Sequence, residues 1–258
     1  MRLDKILAES GVGTRKVVRE YIIAGKVTVD NSIIMEPAAE IDEKISSIFC
    51  CGKHVIYPGK IYYMFHKPAG CVTARKDKLN QTVMDYFLED CCNGIFPVGR
   101  LDKDTEGLLL LTNDGELDHK LMHPEHHMEK TYFFWAFGTL DDEAKNKLLS
   151  GVMIENDGEV AKALKIEVIE EGTYAAYEAV IALVSNRCVL MKDHNQPVVA
   201  GIITIAEGRK HQVKRMLKSV GCYVVYLKRN AIGQLSLDEK LDKGQYRKLT
   251  KEELLLLS

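Results

Sequence analysis

Apolar positions follow a helical register at the start of the chain and a mostly extended one after it. Leu3, Ile6 and Leu7 recur at helical spacing and stop at Ser10 and Gly11, and Thr14 stands where it can cap a second helix that reaches Ala24 before Gly25. Val17, Val18, Tyr21 and Ile22 make the apolar face of that second helix, and Arg15 and Arg19 lie one turn apart on its other side. Lys26 introduces Val27-Thr28-Val29, which reads as a strand; Asp30-Asn31 reads as a turn and Ile33-Ile34 as the returning strand. Residues 36–58, with Pro37 and Pro58, then supply the last strands of a small unit and a linker. This divides the chain into a leading module at 1–58 and a larger unit at 59–258.

From Ile61 the pattern turns β-rich. Ile61-Tyr62-Tyr63-Met64-Phe65-His66 is stopped by Lys67-Pro68-Ala69-Gly70, and Leu108 to Leu111 is a short run apolar on both faces. Further strands are predicted over residues 132–137, 163–168, 177–184 and 198–205, and helices over 81–87, 117–122, 141–149 and 209–220. Strands dominate without regular strand and helix alternation, which predicts an α+β fold with a mixed, mainly antiparallel sheet and flanking helices. On the last of these helices Val213, Met216, Leu217 and Val220 share one side, while Lys210, Lys214 and Lys218 recur every four residues on another, up to Gly221.

At 258 residues, 46% hydrophobic and 28% charged, the chain can bury a sizeable core. No apolar run approaches membrane-spanning length, and Arg2, Asp4, Lys5 and Glu9 interrupt any secretory apolar segment, so a cytoplasmic location is expected. The seven cysteines (50, 51, 71, 91, 92, 188 and 222) contain no Cys-x-x-Cys pair, and His126 and His127 are adjacent, so reduced thiols and no metal are expected. Net charge is only -2, yet residues 208–230 carry Arg209, Lys210, Lys214, Arg215, Lys218, Lys228 and Arg229 with no acid among them. A single-sign stretch of this kind suits phosphates, and it suits a solvated helix face equally well.

The candidate chemistry centres on Gly99-Arg100-Leu101-Asp102, followed by Asp104-Thr105-Glu106-Gly107, the leucine run and Thr112-Asn113-Asp114-Gly115. A cation and a carboxylate in a turn just before a buried strand can be aimed into a cleft by a rigid sheet. The whole string resembles the central motif of the pseudouridine synthases that modify ribosomal RNA. Glu207-Gly208-Arg209-Lys210-His211-Gln212-Val213-Lys214-Arg215-Met216 resembles their late motif, and Leu227-Lys228-Arg229-Asn230-Ala231-Ile232-Gly233 the strand after it. Lys130-Thr131-Tyr132 resembles the segment that carries the family's active-site tyrosine. In the leading module, Arg2-Leu3-Asp4-Lys5-Ile6-Leu7, Gly11, Thr14-Arg15 and Ile23-Ala24-Gly25-Lys26-Val27 look like the small RNA-binding domain of the ribosomal-protein S-four type.

The resemblance implies a catalytic set of Asp102, Arg100, Tyr132 and Lys214. Asp102 would attack the anomeric carbon or promote a glycal, Lys214 would be its basic partner, Tyr132 would stack on the uracil, and Arg100 would fill the space left by a flipped base. RNA contact falls to Arg2, Lys5, Arg15, Lys16, Arg19 and Lys26 in the module, and to Arg209, Lys210, His211, Gln212, Arg215 and Lys218 in the later stretch. The isomerisation involves no net redox change, so no cofactor is implied. The small-subunit type fits best, implying a monomer acting on 16S ribosomal RNA in a partly assembled particle, with 23S ribosomal RNA as the alternative target. A non-catalytic RNA-binding assembly factor would need the basic surfaces but not Asp102. A phosphate-binding metabolic enzyme lacks any Gly-x-Gly-x-x-Gly or Walker string. Residues 184–200 have no counterpart in the family pattern.

Overall fold

The computed structural model describes residues 1–88, 94–123, 125, 127–154, 160–184 and 193–257. The leading segment forms α1 (Leu3–Glu9), α2 (Arg15–Ile23), β1 (Val27–Val29), β2 (Ser32–Ile33), β3 (Ile48–Cys50) and β4 (Lys53–Val55), the strands ordered β2-β1-β3-β4. Thr14 caps α2 by accepting from the Val17 amide at 3.4 Å. Asp30 and Asn31 take positive φ, 48° and 64°, as a two-residue hairpin of the primed type requires. Leu3, Ile6, Leu7, Val18, Ile22, Val27 and Ile48 bury together, whereas Val17 is only partly covered.

The rest of the chain builds β5 (Tyr62–Lys67), β6 (Phe96–Pro97), β7 (Glu106–Thr112), α3 (Gly115–Met122), β8 (Lys130–Phe137), α4 (Asp142–Ser150), β9 (Val152–Met153), β10 (Val160–Ala161), β11 (Lys165–Thr173), α5 (Tyr174–Val184), β12 (Pro197–Ile205), α6 (Gln212–Ser219), β13 (Tyr223–Ile232), β14 (Leu235–Ser236), β15 (Tyr246–Lys248) and α7 (Lys251–Leu255). The main sheet runs β11-β12-β8-β13-β7-β5-β15. Its pairs are antiparallel except β13 with β7, so the expected mixed, mainly antiparallel α+β fold is present.

Alternation along β8 assigns the sheet faces. Tyr132, Phe134 and Ala136 join Phe65, Leu109, Leu111 and Leu227 on one side, and α6 covers it with Val213, Met216 and Leu217. Trp135 and Phe137 turn to the other side, beneath Tyr174 and Ile181 of α5. In β7, Leu109 and Leu111 enter the first cluster while Leu108 and Leu110 meet Met64, Ile232 and Leu257 behind it. Both faces of this central strand are covered, which is why the run does not alternate; each buried leucine contributes about 2 kcal/mol. Gly107 (φ 104°) lies in register with Arg229, and a Cβ there would strike the Arg229 backbone, so the parallel pairing requires glycine.

Two predicted elements differ. Residues 177–184 belong to helix α5, not a strand. The predicted helix over 81–87 is a single 3-10 turn, Val83–Tyr86, that gives way to extended backbone at Phe87. Asn113 ties the leading segment to the sheet: its Nδ2 donates to the carbonyls of Glu9 (3.3 Å) and Gly59 (2.7 Å), and its Oδ1 accepts from the Ile61 amide at 2.8 Å. Cys50, Cys71 and Cys222 are buried and Cys51 is exposed; Cys91, Cys92, Cys188 and His126 lie outside the described residues, as do 185–192. Among the described residues no helix is long and apolar enough to cross a membrane.

Candidate active site

The loop from β6 to β7 carries Asp102, and buried donors hold it in place. Val98 enters it by donating its amide to the Leu110 carbonyl at 2.8 Å. Thr73 clamps the next turn, its hydroxyl donating to the Leu101 carbonyl (2.8 Å) and accepting from the Leu101 amide (3.1 Å). Beneath lies Lys67, fully buried, whose Nζ donates to the carbonyls of Pro68 (2.9 Å), Lys103 (3.3 Å) and Thr105 (2.9 Å). Burial pushes its ammonium below the usual lysine value. The Lys67-Pro68-Ala69-Gly70 string is thus more than a strand stop: its lysine and the Gly70 amide, 2.8 Å from the Lys103 carbonyl, both grip the loop after Asp102.

Asp102 projects to the start of α6. Lys214 Nζ donates to Asp102 Oδ2 at 3.1 Å and to Asp104 Oδ1 at 2.5 Å, and His211 Nε2 lies 3.5 Å from Asp102 Oδ1. His211 has left-handed backbone (φ 55°) just before α6, a costly conformation for a residue with a Cβ. Gln212 locks that turn: its Oε1 accepts from the Arg209 amide (2.9 Å) and its Nε2 donates to Glu207 Oε1 (2.7 Å).

A cleft of about 550 Å³ opens beside the carboxylate, lined by Asp102, Arg100, Tyr132, Lys130, His211 and Arg229 among others. Tyr132 is 7% exposed, with Leu227 and Ile205 beside it on the same wall, whereas Arg100 is exposed at the rim. The fold therefore brings Asp102, Lys214, Tyr132 and Arg100 to one place. Among the described residues no three His, Cys, Asp or Glu side chains gather as a metal site.

The expected RNA contacts fare unevenly. Gln212, expected to contact RNA, is buried with both ends of its side chain bonded within the turn; Arg229, counted in the basic stretch, is 2% exposed inside the sheet. Arg209 is bound to Glu207 at 3.1 Å, an acid just outside the basic stretch. Lys214 turns to Asp102 and away from the row it was expected to share with Lys210 and Lys218, both of which are exposed, while Arg215 is half-buried. In the leading segment Arg2 and Arg19 both bind the buried Asp4 carboxylate, at 2.9 and 3.0 Å, and Lys5 reaches Glu116 at 2.6 Å. Lys26 lies over the Tyr21 ring. Arg15 and Lys16 stand exposed on α2. Thr73, Asp104, Lys67 and Lys130 escaped the sequence assignment; only their presence in or beside the quoted strings could have flagged them.

The family model for RNA pseudouridylate synthase matches residues 61–219, and that for the S4 domain matches residues 1–44. An RNA pseudouridine synthase of Bacillus subtilis, YtzG, is 40% identical over 259 residues, covering 100% of this chain and 98% of the relative. Ribosomal small subunit pseudouridine synthase A of Vibrio cholerae is 34% identical over 254 residues, with 98% of each chain covered. A crystal structure of a pseudouridylate synthase superposes with a TM-score of 0.63 at 30% identity, covering 100% of both chains.

Proposed function

The chain belongs to the RNA pseudouridine synthases, and on that premise we propose that it isomerises a uridine of 16S ribosomal RNA, with Asp102 as the group that opens the glycosidic bond. The observation that carries the assignment is Asp102 itself, held 3.1 Å from Lys214 at the edge of a cleft that also contains Tyr132. The chemistry calls for a carboxylate at this point, able either to attack the anomeric carbon or to take a proton in forming a glycal, and the bond from Lys214 fixes its orientation toward the cleft. The same Lys214 bonds Asp104, so it counters two carboxylates and keeps both in one place.

The reacting carbon is hidden while the uridine is stacked, so the nucleotide must turn out of its helix to reach Asp102. Tyr132 offers its ring as one wall for the uracil. Arg100, exposed at the rim, would fill the gap left in the RNA and hold phosphate with the same guanidinium. Arg15 and Lys16 of a module at residues 1–58, and Lys210 and Lys218 beside the cleft, would supply the sequence-independent grip. The choice of 16S RNA is supported by the small-subunit relatives, aligned over 98% of this chain.

Purified 16S and 23S RNA, each naked and with ribosomal proteins, would be offered to the protein and pseudouridine mapped. The account expects conversion of one 16S uridine, best in a partly assembled particle. Conversion confined to 23S RNA would refute the target while leaving the chemistry.

A further inference from the structure

Two cations lie on the floor of the cleft with no acid paired to either among the described residues. Lys130 and Tyr132 are two apart on β8 and so share a face, and Arg229 of β13 is in register with Tyr132. All three line the cleft that holds Asp102. Lys130 is 5% and Arg229 2% exposed. Among the described residues the ammonium donates only to the Met128 carbonyl, at 2.8 Å, and the guanidinium Nε to the Leu108 carbonyl, at 2.8 Å. Arg229 Nη2 is buried without a hydrogen-bond partner among the described residues. Within those residues neither cation forms an ion pair, although Lys214, Lys67 and His211 close by all have polar partners.

A buried unpaired charge is expensive, and two of like sign in one cleft more so. Burial, with Arg229 nearby, pushes the Lys130 ammonium down to about 8. Apolar residues at both positions would fit a scaffold better. Such an arrangement stabilises a ligand that brings electron-rich oxygens and gains negative charge as it reacts.

We propose that Lys130 and Arg229 form a cationic floor that receives the carbonyl oxygens of the flipped uracil and stabilises the negative charge left on the base when its bond to ribose breaks. The inference rests on the reading of Asp102 as the group that opens that bond. When the bond from uracil N1 to C1′ breaks, its electron pair stays with the base, which leaves as an anion with charge shared among N1, O2 and O4. Asp102 either bonds C1′ or takes the C2′ proton, so both routes produce the same anion. After the base turns, C5 bonds C1′ and Asp102 is released as carboxylate, or returns its proton to C2′; C5 then loses its proton and N1 gains one, completing the isomerisation. The base stays anionic throughout the turn, and a floor of two fixed cations suits that interval because it retains the base without fixing one orientation.

The test uses the full-length protein with Lys130→Met, Lys130→Arg and Arg229→Lys, read by thermal midpoint, RNA affinity and single-turnover conversion. Expected for Lys130→Met are a midpoint no lower than wild type, RNA affinity within about twofold, and conversion slower by about 100-fold. Lys130→Arg should recover most of the rate. RNA bearing 5-fluorouridine, whose base leaves more readily as an anion but has no C5 proton to lose, is read as loss of the starting nucleotide and not as pseudouridine formed, and should show a smaller loss with Lys130→Met. Conversion by a folded Lys130→Met within about threefold of wild type, or an equal loss with both bases, overturns the proposal. Should Lys130→Met not fold, Lys130→Gln decides by the same two criteria, while Arg229→Lys, which keeps the cation, should retain most of the rate. Asp102→Asn is run in parallel: if it is inactive while Lys130→Met is unaffected, only the cationic floor fails, and if it is as active as wild type, the Asp102 reading fails first.

Discussion

The cleft and the leading module use arginine and lysine in opposite ways. In the module, Asp4 takes up both Arg2 and Arg19, and Glu116 takes up Lys5, so most of the charge counted along α1 and α2 goes into holding the fold. In the cleft, Lys214 is shared by two carboxylates, and Lys130 and Arg229 are buried with backbone carbonyls as their only hydrogen-bond partners among the described residues. A basic residue's availability to a ligand is therefore set by its neighbours in space and not by the local run of charge. The module has Arg15 and Lys16 left for RNA; the cleft has charge that folding alone does not explain.

Asp102→Asn should have the largest effect on conversion. Conversion falls by about 10³-fold or more, measured by tritium release from labelled uridine in RNA, with the unfolding free energy within about 0.5 kcal/mol of wild type because the side chain is part-exposed. Lys67→Met comes next: three carbonyls lose their donor inside the protein, so urea denaturation should show a loss of about 3 kcal/mol, and conversion falls with it as the Asp102 loop loosens. Lys214→Met removes the ammonium that Asp102 and Asp104 share and should lower conversion by about 100-fold, while Lys214→Arg keeps the greater part of it.

On the module side the effects are smaller. Burial pushes the Asp4 carboxyl up, but hydrogen bonds from Arg2 and Arg19 outweigh this and hold it below the usual carboxylate range. Its stabilisation is thus present above the unfolded carboxylate's pKa and lost as pH falls through the lower folded one. Asp4→Asn should cost about 1 kcal/mol near neutral pH, remove that acid-side loss from a stability titration, and leave RNA affinity no weaker than before, because it frees two guanidinium groups. Reversing Arg15 and Lys16 to Glu should change affinity least, lowering the slope of log affinity against log salt by about 1 to 2. An unchanged slope would make that face solvated surface.

Elements with a clean period were legible before folding. The helical spacing of Leu3, Ile6 and Leu7 and of Val213, Met216 and Leu217 marked α1 and α6, and the aromatic run from Tyr132 to Phe137 marked β8. Helix α5 was not, because its sequence is apolar nearly all round and supports strand and helix alike; what distinguishes it is the aromatic patch of Trp135 and Phe137 that Tyr174 and Ile181 cover. In the cleft, Asp102 and Lys214 could be found from their motifs. Lys130 and Arg229 could not, since Arg229 sits in a stretch that reads as basic surface and Lys130 in a string that points to its tyrosine, and only the pairing of β8 with β13 brings the two together. Gln212 is a related case: a polar residue in a basic motif reads as a ligand, and its structural work shows only once its partners, Arg209 and Glu207, are known.

The most direct test is a map of pseudouridine in ribosomal RNA from cells lacking this protein, then resupplied with either the wild type or Asp102→Asn at equal levels. The account predicts that one 16S pseudouridine disappears on deletion, returns with the wild type and stays absent with Asp102→Asn. An unchanged map on deletion, or restoration of the site by Asp102→Asn, would contradict it.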